Sequence, residues 1–215
     1  MTAVVFMINL RAFFMASFYD LAMHNVEKRC LAQWRSELLS PLRGDVLEIG
    51  TGTGINLHYY SRRLNRLVLS EPDPHMRAKL RNRISGSAHE QAEVTGCSAE
   101  KFDYPDASFD HIVSTLVLCS VHDVDETLQE LKRLLKPGGS LVFLEHVRAE
   151  RDPALLKVQR KLEPIWKWCA GNCHLTRPTV QSLQQVGFET RLQQVEMKGA
   201  PFFVRPMIKG VAIRT

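Results

Sequence analysis

Three of the eight histidines of this sequence are candidates for proton transfer near neutral pH. His122, His146 and His174 lie in segments predicted to be loops or strand ends, which can converge on one side of the molecule. A neutral imidazole in such a place can take a proton from a nucleophile, and a cationic one can stabilise an anion. Each can also be a surface or structural histidine. Our hypothesis is that one of the three acts as a general base.

A second chemical feature is the glycine-rich turn that follows a short apolar strand at residues 46–54. Gly50, Gly52 and Gly54 allow the backbone to adopt unusual φ angles and to approach a ligand closely. The dinucleotide fingerprint has its third glycine three residues after the second, but this sequence has isoleucine there. The spacing therefore predicts a ligand cradle for something other than a pyrophosphate. Residues 55–64 are predicted to form a helix whose positive end faces the cradle.

An acidic residue follows the next apolar run, residues 67–70. In a doubly wound sheet the end of this second strand lies beside the first loop, where the Glu71 carboxylate can accept both hydroxyls of a ribose. The alternative is that Glu71 only caps the turn before Pro72. Asp73 is predicted to be the N-cap of the following helix.

Other polar residues are candidates for substrate chemistry or for a metal site. Glu145 and His146 end a predicted strand, so they are candidates for work on a substrate, although a hydrogen-bonded pair that orders the loop is an equal alternative. Cys169, Cys173 and His174 lie close together, but a zinc site needs further ligands nearby. The sequence therefore predicts no metal.

Length and composition indicate an ordinary globular protein. The chain has 215 residues, enough for one domain with a full core, of which 45% are hydrophobic and 24% charged. The formal net charge of +5 comes from scattered basic residues, a pattern that does not favour nucleic-acid binding. An odd number of irregularly spaced cysteines indicates a reducing cytoplasm. They are Cys30, Cys97, Cys119, Cys169 and Cys173.

The elements that would position these residues alternate between strand and helix, which predicts an α/β fold with a mainly parallel sheet. Predicted strands cover residues 46–49, 67–70, 93–97, 109–116, 140–144, 188–197 and 203–213, the last two as an antiparallel hairpin at the sheet edge. Predicted helices cover 25–39, 55–64, 74–84, 124–135, 153–170 and a segment from the Thr176 N-cap to Gly187.

The N-terminal part of the chain differs from the rest. Residues 1–24 are apolar but interrupted, too short to cross a bilayer and without the features of a secretory signal. They could form a lid that brings Tyr19 to the ligand, or pack on the core, or contact a membrane surface through residues 1–18. We therefore predict a helical N-terminal segment, residues 1–40, followed by the main domain, residues 41–215.

Several motifs occur together and in a fixed order. The Gly-x-Gly-x-Gly turn after Glu48 and the Leu-Leu-Lys-Pro-Gly-Gly run before a strand resemble class I S-adenosylmethionine-dependent methyltransferases. Five further segments match a narrower group, at residues 18–20, 114–121, 144–146, 171–177 and 204–212. With them, the sequence is similar to bacterial relatives of the mammalian thiol S-methyltransferases of the endoplasmic reticulum. These are the methyltransferase-like seven group with its type 11 domain.

The resemblance implies a Rossmann-like sheet of about seven strands with an antiparallel C-terminal edge hairpin and helices on both faces. It implies S-adenosylmethionine as cofactor, S-adenosylhomocysteine as product, and an adenine wall that includes Cys97 and Ala99. The implied cofactor-binding residues are Tyr19, Glu48, Gly50, Thr51, Gly52, Gly54, Glu71, Pro72, Cys97, Ser98, Ala99, Thr115 and Leu116.

The resemblance also implies a reaction, the transfer of a methyl group to a small, hydrophobic acceptor by in-line displacement. A thiol is the expected acceptor. A phospholipid N-methyltransferase or quinone C-methyltransferase at a membrane surface is the first alternative, and a non-catalytic cofactor-binding module is the second. The expected location is the cytoplasm, with the inner face of the membrane as the alternative, and no pattern predicts an oligomeric state.

Overall fold

The computed structural model describes residues 23–215, in which strands and helices alternate. The strands are β1 (Gly44–Ile49), β2 (Leu64–Ser70), β3 (Glu93–Thr95), β4 (Phe109–Thr115), β5 (Leu135–His146), β6 (Phe188–Glu196) and β7 (Pro206–Arg214). The helices are α1 (Ala32–Leu39), α2 (Pro74–Ile84), α3 (Val124–Leu134), α4 (Pro153–Cys169) and α5 (Thr179–Gln185). A π-helical turn, Glu27–Leu31, leads into α1, and short 3-10 helices cover Ile55–His58 and Phe202–Val204.

The seven strands form one mixed sheet in the order β3-β2-β1-β4-β5-β7-β6. Strands β1 to β5 pair in parallel, and β7 pairs antiparallel with both β5 and β6. This arrangement confirms the predicted sheet with its antiparallel C-terminal hairpin. The order reverses direction beside β1, so that the carboxyl ends of β1 and β4 flank a crevice of the kind in which open α/β sheets bind ligands.

The core lies on both faces of the sheet, as the apolar strands require. Neighbouring residues of one strand point to opposite faces. Leu47 of β1 and Phe143 of β5 belong to one hydrophobic cluster, whereas Val46 and Val142 belong to another. Both faces of the central strands are therefore buried, which accounts for their continuous apolar sequences.

The helix predicted at residues 55–64 is wrong, because only the 3-10 turn Ile55–His58 forms there. Asn56 and Tyr60 are buried and turn their polar groups toward the carboxylate of Glu48 beneath the loop. These hydrogen bonds fix a tight turn, and strand β2 begins soon afterwards. The glycine-rich turn is therefore followed by a helix too short to carry the dipole that the sequence suggested.

Two further boundaries differ from prediction. Strand β5 begins at Leu135 and includes the Lys-Pro-Gly-Gly run, whereas the strand was predicted to begin at residue 140. A side chain at Gly139 would lie 2.8 Å from the carbonyl oxygen of Lys136, so this glycine permits the close backbone approach. Thr176 is not the N-cap of α5, because its N–H and hydroxyl both donate to Glu163 of α4.

The segment before β1 is part of the folded core. Leu31 and Leu39 are completely buried. Leu31 packs in a third cluster with Leu144 of β5 and Met207 of β7. The later part of the predicted N-terminal segment thus covers the sheet, while the proposed lid and Tyr19 lie outside the described residues.

Candidate active site

The glycine-rich turn at the end of β1 combines two packed glycines with one that borders open space. All three have positive φ angles, 54° at Gly50, 61° at Gly52 and 85° at Gly54. A Cβ at Gly50 would lie 2.6 Å from Val117, and one at Gly54 would lie 2.7 Å from Leu80. A Cβ at Gly52 would meet nothing within 4 Å. The turn therefore leaves room for a ligand beside Gly52.

Glu71 fastens this turn to the end of β2. Its Oε2 accepts a hydrogen bond from the Gly52 N–H at 2.7 Å, and its Oε1 accepts one from the Asp73 N–H at 2.8 Å. Burial raises the pKa of the Glu71 carboxyl, and these two hydrogen bonds oppose the rise. Each carboxylate oxygen has a second lone pair available for a ligand hydroxyl.

The residues predicted to contact the adenine lie next to these hydrogen bonds of Glu71. The Ser70 hydroxyl donates to the carbonyl oxygen of Cys97 at 2.7 Å and so holds the loop after β3 beside the end of β2. Cys97 is half-buried and Ser98 is exposed, whereas Ala99 packs into the hydrophobic core. Of the remaining predicted residues here, Thr51 is buried and Pro72 is exposed.

Glu48 lies beneath the turn with its carboxylate fully buried. Asn56 donates to one oxygen at 2.9 Å, and the Tyr60 hydroxyl donates to the other at 2.7 Å. Burial raises the pKa of the Glu48 carboxyl to about 7, although both hydrogen bonds lower it. In this arrangement Glu48 supports the turn from below.

Arg35 of α1 extends the buried network, and sequence analysis missed it. Its guanidinium donates to Asn56 at 2.6 Å and to the Thr115 hydroxyl at 3.1 Å. It also forms an ion pair with Glu27 at 3.0 Å. One side chain thus links the first helical segment, the glycine-rich turn and the end of β4.

The loop after β4 is held by the buried carboxylate of Glu145. It accepts hydrogen bonds from the Ser114 hydroxyl at 2.6 Å, the Val117 N–H at 3.1 Å and the Cys119 N–H at 3.4 Å. Burial raises the pKa of Glu145, and these bonds oppose the change. Leu116 begins this loop with a φ of 61°, a conformation that non-glycine residues rarely adopt outside functional sites. Glu145 therefore orders this loop through Ser114, Val117 and Cys119 and not through a hydrogen bond with His146.

The structure separates the three histidines by their surroundings. His122 is exposed. His174 is half-buried, its N–H donates to the Cys119 carbonyl at 2.8 Å, and its ring lies 3.7 Å from Glu163. Burial is the main cause of the lowered pKa of His174. His146 is only 2% exposed.

His146 belongs to a buried cluster with two cysteines, which the sequence did not reveal. Neither ring nitrogen of His146 has a hydrogen-bond partner of good geometry among the described residues, and the same holds for Nε1 of Trp166. Both side chains lie beside the sulfur of Cys173. A hydrogen bond from the Cys119 thiol lowers the pKa of Cys173, aided by His146, and raises the pKa of Cys119.

Arg177 ties this cluster to the loop after β4. Its guanidinium is buried and donates to the carbonyl oxygens of Leu118 and Val121 at 2.6 and 2.8 Å. Asn172 likewise donates to the Ser120 carbonyl at 2.8 Å. Within residues 23–215, no group of three or more His, Cys, Asp or Glu side chains is arranged to hold a metal ion.

Comparisons with known proteins agree with this geometry. A family model described as "Methyltransferase domain" matches residues 47–143. The chain is 36% identical over 174 residues to the thiol S-methyltransferase TMT1B of Rattus norvegicus, covering 79% of this chain and 70% of that protein. The chain belongs to the class I S-adenosylmethionine-dependent methyltransferases.

Other methyltransferases support the same family and fold. Human thiol S-methyltransferase TMT1A is 34% identical over 172 residues, covering 79% of this enzyme and 70% of the human protein. A crystal structure of an S-adenosylmethionine-dependent methyltransferase from Thermotoga maritima superposes with a TM-score of 0.64 at 20% identity, covering 94% and 98% of the two chains. The cofactor of this methyltransferase is thus S-adenosylmethionine, and the open space beside Gly52 and the free lone pairs of Glu71 fit it. No helix within residues 23–215 has the length and apolar character needed to cross a membrane.

Proposed function

We propose that this methyltransferase transfers a methyl group from S-adenosylmethionine to the sulfur of a small hydrophobic thiol. The observation that carries the proposal is the 36% identity with a thiol S-methyltransferase over 79% of the chain. The buried His146 adds chemical support, because a thiol with a pKa of about 8.5 is mostly protonated at pH 7 and needs a proton acceptor.

We assign cofactor binding to the ends of β1 to β4. The Gly52 backbone borders the methionine part, Glu71 accepts the ribose hydroxyls, and the loop at Cys97 faces the adenine. Thr115 and Leu116 close the site at the end of β4. Support comes from the hydrogen bond between the Gly52 N–H and Glu71, and from the hydrogen bond of the Ser70 hydroxyl to the Cys97 carbonyl.

The chain contributes alignment and proton transfer to the reaction. When bound, the cofactor supplies a methyl group already activated by a positively charged sulfur. The enzyme must hold the acceptor in line and exclude water, and orientation of this kind supplies on the order of 7–11 kcal/mol. His146 accepts the thiol proton in this scheme, because its ring is buried beside Cys173 and neither ring nitrogen makes a hydrogen bond of good geometry to the described residues.

A transfer assay with labelled S-adenosylmethionine tests the acceptor. The panel contains hydrophobic thiols, the corresponding alcohols as matched controls, quinols and amino lipids. We expect label in the thiol products and none in the alcohols. Transfer to quinols or amino lipids without transfer to thiols would overturn the thiol proposal. Calorimetric cofactor binding without transfer to any acceptor would support the binding-module alternative.

A further inference from the structure

Three large apolar side chains are exposed around helix α4. Ile165 is 69% exposed, Trp168 is 71% exposed and Phe202 is 55% exposed. The first two lie in the last turns of α4, and Phe202 begins the 3-10 helix before β7. The Phe203 ring connects the two segments, since its centroid lies 5.2 Å from Trp166 of α4 and 5.6 Å from Phe202. The exposed apolar groups thus flank one packed pair of elements.

The exposed surface of α4 has a basic half and an apolar half. Lys157, Lys161, Ile165 and Trp168 are all exposed and follow one another at steps of three or four residues, so they share one side of the helix. Arg160 beside them is also exposed.

The negative charge of α4 lies on a different side of the helix from its exposed lysines. The one acidic residue of α4, Glu163, accepts two hydrogen bonds from Thr176. Near Phe202, Lys198 and Arg205 are exposed and add positive charge. The surface therefore combines Trp, Phe and Ile with several exposed cationic side chains, as interfacial helices do.

This surface lies next to the buried cluster of His146, Cys119 and Cys173, where the thiol acceptor is proposed to react. The inner side of α4 carries Trp166, which lies beside Cys173. The loop that follows α4 is hydrogen-bonded to the loop after β4 through the His174 N–H and the Cys119 carbonyl. A flat apolar partner on the outer side of α4 would consequently sit next to the region assigned to the acceptor.

We propose that the α4 surface, defined as Lys157, Lys161, Ile165, Trp168 and Phe202, binds an anionic lipid bilayer. The apolar side chains enter the boundary between headgroups and acyl chains, and the lysines contact the anionic headgroups. Charge complementarity favours this occupant over a second copy of the chain, because two copies would bring their basic residues together. The site is distinct from residues 1–18, and its occupancy does not depend on which acceptor is methylated.

Vesicle flotation of the full-length chain tests the proposal. The vesicles contain phosphatidylcholine alone or an equal mixture with phosphatidylglycerol, and we expect stronger binding to the mixture. The variant Ile165→Ser/Trp168→Ser/Phe202→Ser should lose binding to both. Lys157→Glu/Lys161→Glu should bind the anionic vesicles about tenfold or more weakly. The control Arg62→Glu/Arg63→Glu makes the same charge change on exposed residues just before β2, which lies on the other side of β1 from β5, and should bind like the parent.

Three results would overturn the proposal. The first is absence of binding to either vesicle, and the second is unchanged binding of the triple serine variant, which would place binding elsewhere, residues 1–22 included. The third is a dimer of the parent chain, without vesicles, that the triple serine variant dissociates in analytical ultracentrifugation. Thermal unfolding and cofactor affinity verify that each variant is folded. Because flotation measures binding and not transfer, its failure leaves the thiol proposal intact.

Discussion

The two ends of the crevice are built in different ways. On the cofactor side, which comprises the ends of β1 to β3, backbone N–H groups pair with the carboxylate of Glu71 and glycines clear the space. On the proposed acceptor side, at the ends of β4 and β5, the buried nitrogens of His146 and Trp166 make no hydrogen bond of good geometry to the described residues and lie beside Cys173. A buried polar group without a partner is costly. The proposed cofactor side is thus shaped by backbone geometry, whereas the proposed acceptor side has buried side chains whose polar atoms make few hydrogen bonds.

Replacing Glu145 by alanine should cause the largest effect and disorder the acceptor side. The Ser114 hydroxyl and the N–H groups of Val117 and Cys119 would lose their acceptor inside the core. We expect a loss of about 3 kcal/mol in the free energy of unfolding, measured with urea. Glu145→Gln retains one acceptor oxygen and should lose less. An unchanged midpoint for the alanine variant would mean that other contacts hold the loop.

Replacing His146 by glutamine should separate chemistry from cofactor binding. We expect kcat for a thiol to fall about a hundredfold at pH 7, with the Kd for S-adenosylmethionine unchanged by calorimetry. The loss should shrink as pH approaches the thiol pKa, because thiolate then forms without a base. If none of the three variants His122→Ala, His146→Ala and His174→Ala lowers turnover at pH 7 by more than a few-fold, the hypothesis of a histidine base is wrong.

Replacing Glu71 by alanine should affect the cofactor side alone. The cofactor would lose its ribose acceptor, and Gly52 would lose the bond that fastens the turn. We expect S-adenosylmethionine to bind about tenfold more weakly, a loss of about 1.4 kcal/mol. Glu71→Gln keeps one acceptor oxygen and serves as the control. Unchanged affinity of the alanine variant would exclude Glu71 as the ribose ligand.

Replacing Glu48 by glutamine should alter how stability depends on pH. The carboxyl binds its proton more tightly in the folded protein, where its pKa is about 7, than at its ordinary value of 4.5. Its contribution to stability is therefore complete below the unfolded pKa and is lost as pH rises through the folded pKa. Between pH 5 and 8 the parent should lose about 2–3 kcal/mol more than the variant in urea unfolding. Parallel pH profiles would contradict a raised pKa.

The sheet and the glycine-rich turn were predictable because backbone requirements select residue types locally. Apolar runs predicted the central strands, and the three glycines predicted the turn, since positive φ angles favour glycine. The helix at residues 55–64 was wrong for the opposite reason. Asn56 and Tyr60 form tertiary hydrogen bonds to Glu48, and no helical pattern reports such contacts.

The acceptor side was predictable only in part. Glu145 and His146 were recognisable from their place at a strand end, but their separate roles depend on what surrounds them. Cys119 and Cys173 meet only because loop 171–177 lies over the loop after β4, and their sequence spacing contains no signal of this. Arg35 was missed because an arginine on a helix is ordinarily a surface residue.

Arg35 connects Glu27, Asn56 and Thr115, so one guanidinium contacts both the first helical segment and the 3-10 helix after the glycine-rich turn. A ligand that orders this turn would therefore also favour the observed position of the first helical segment. In that case, a partner that stabilises this segment would tighten cofactor binding by the same factor by which the cofactor tightens binding of the partner. Binding at the first helical segment would in this way change the affinity for the cofactor.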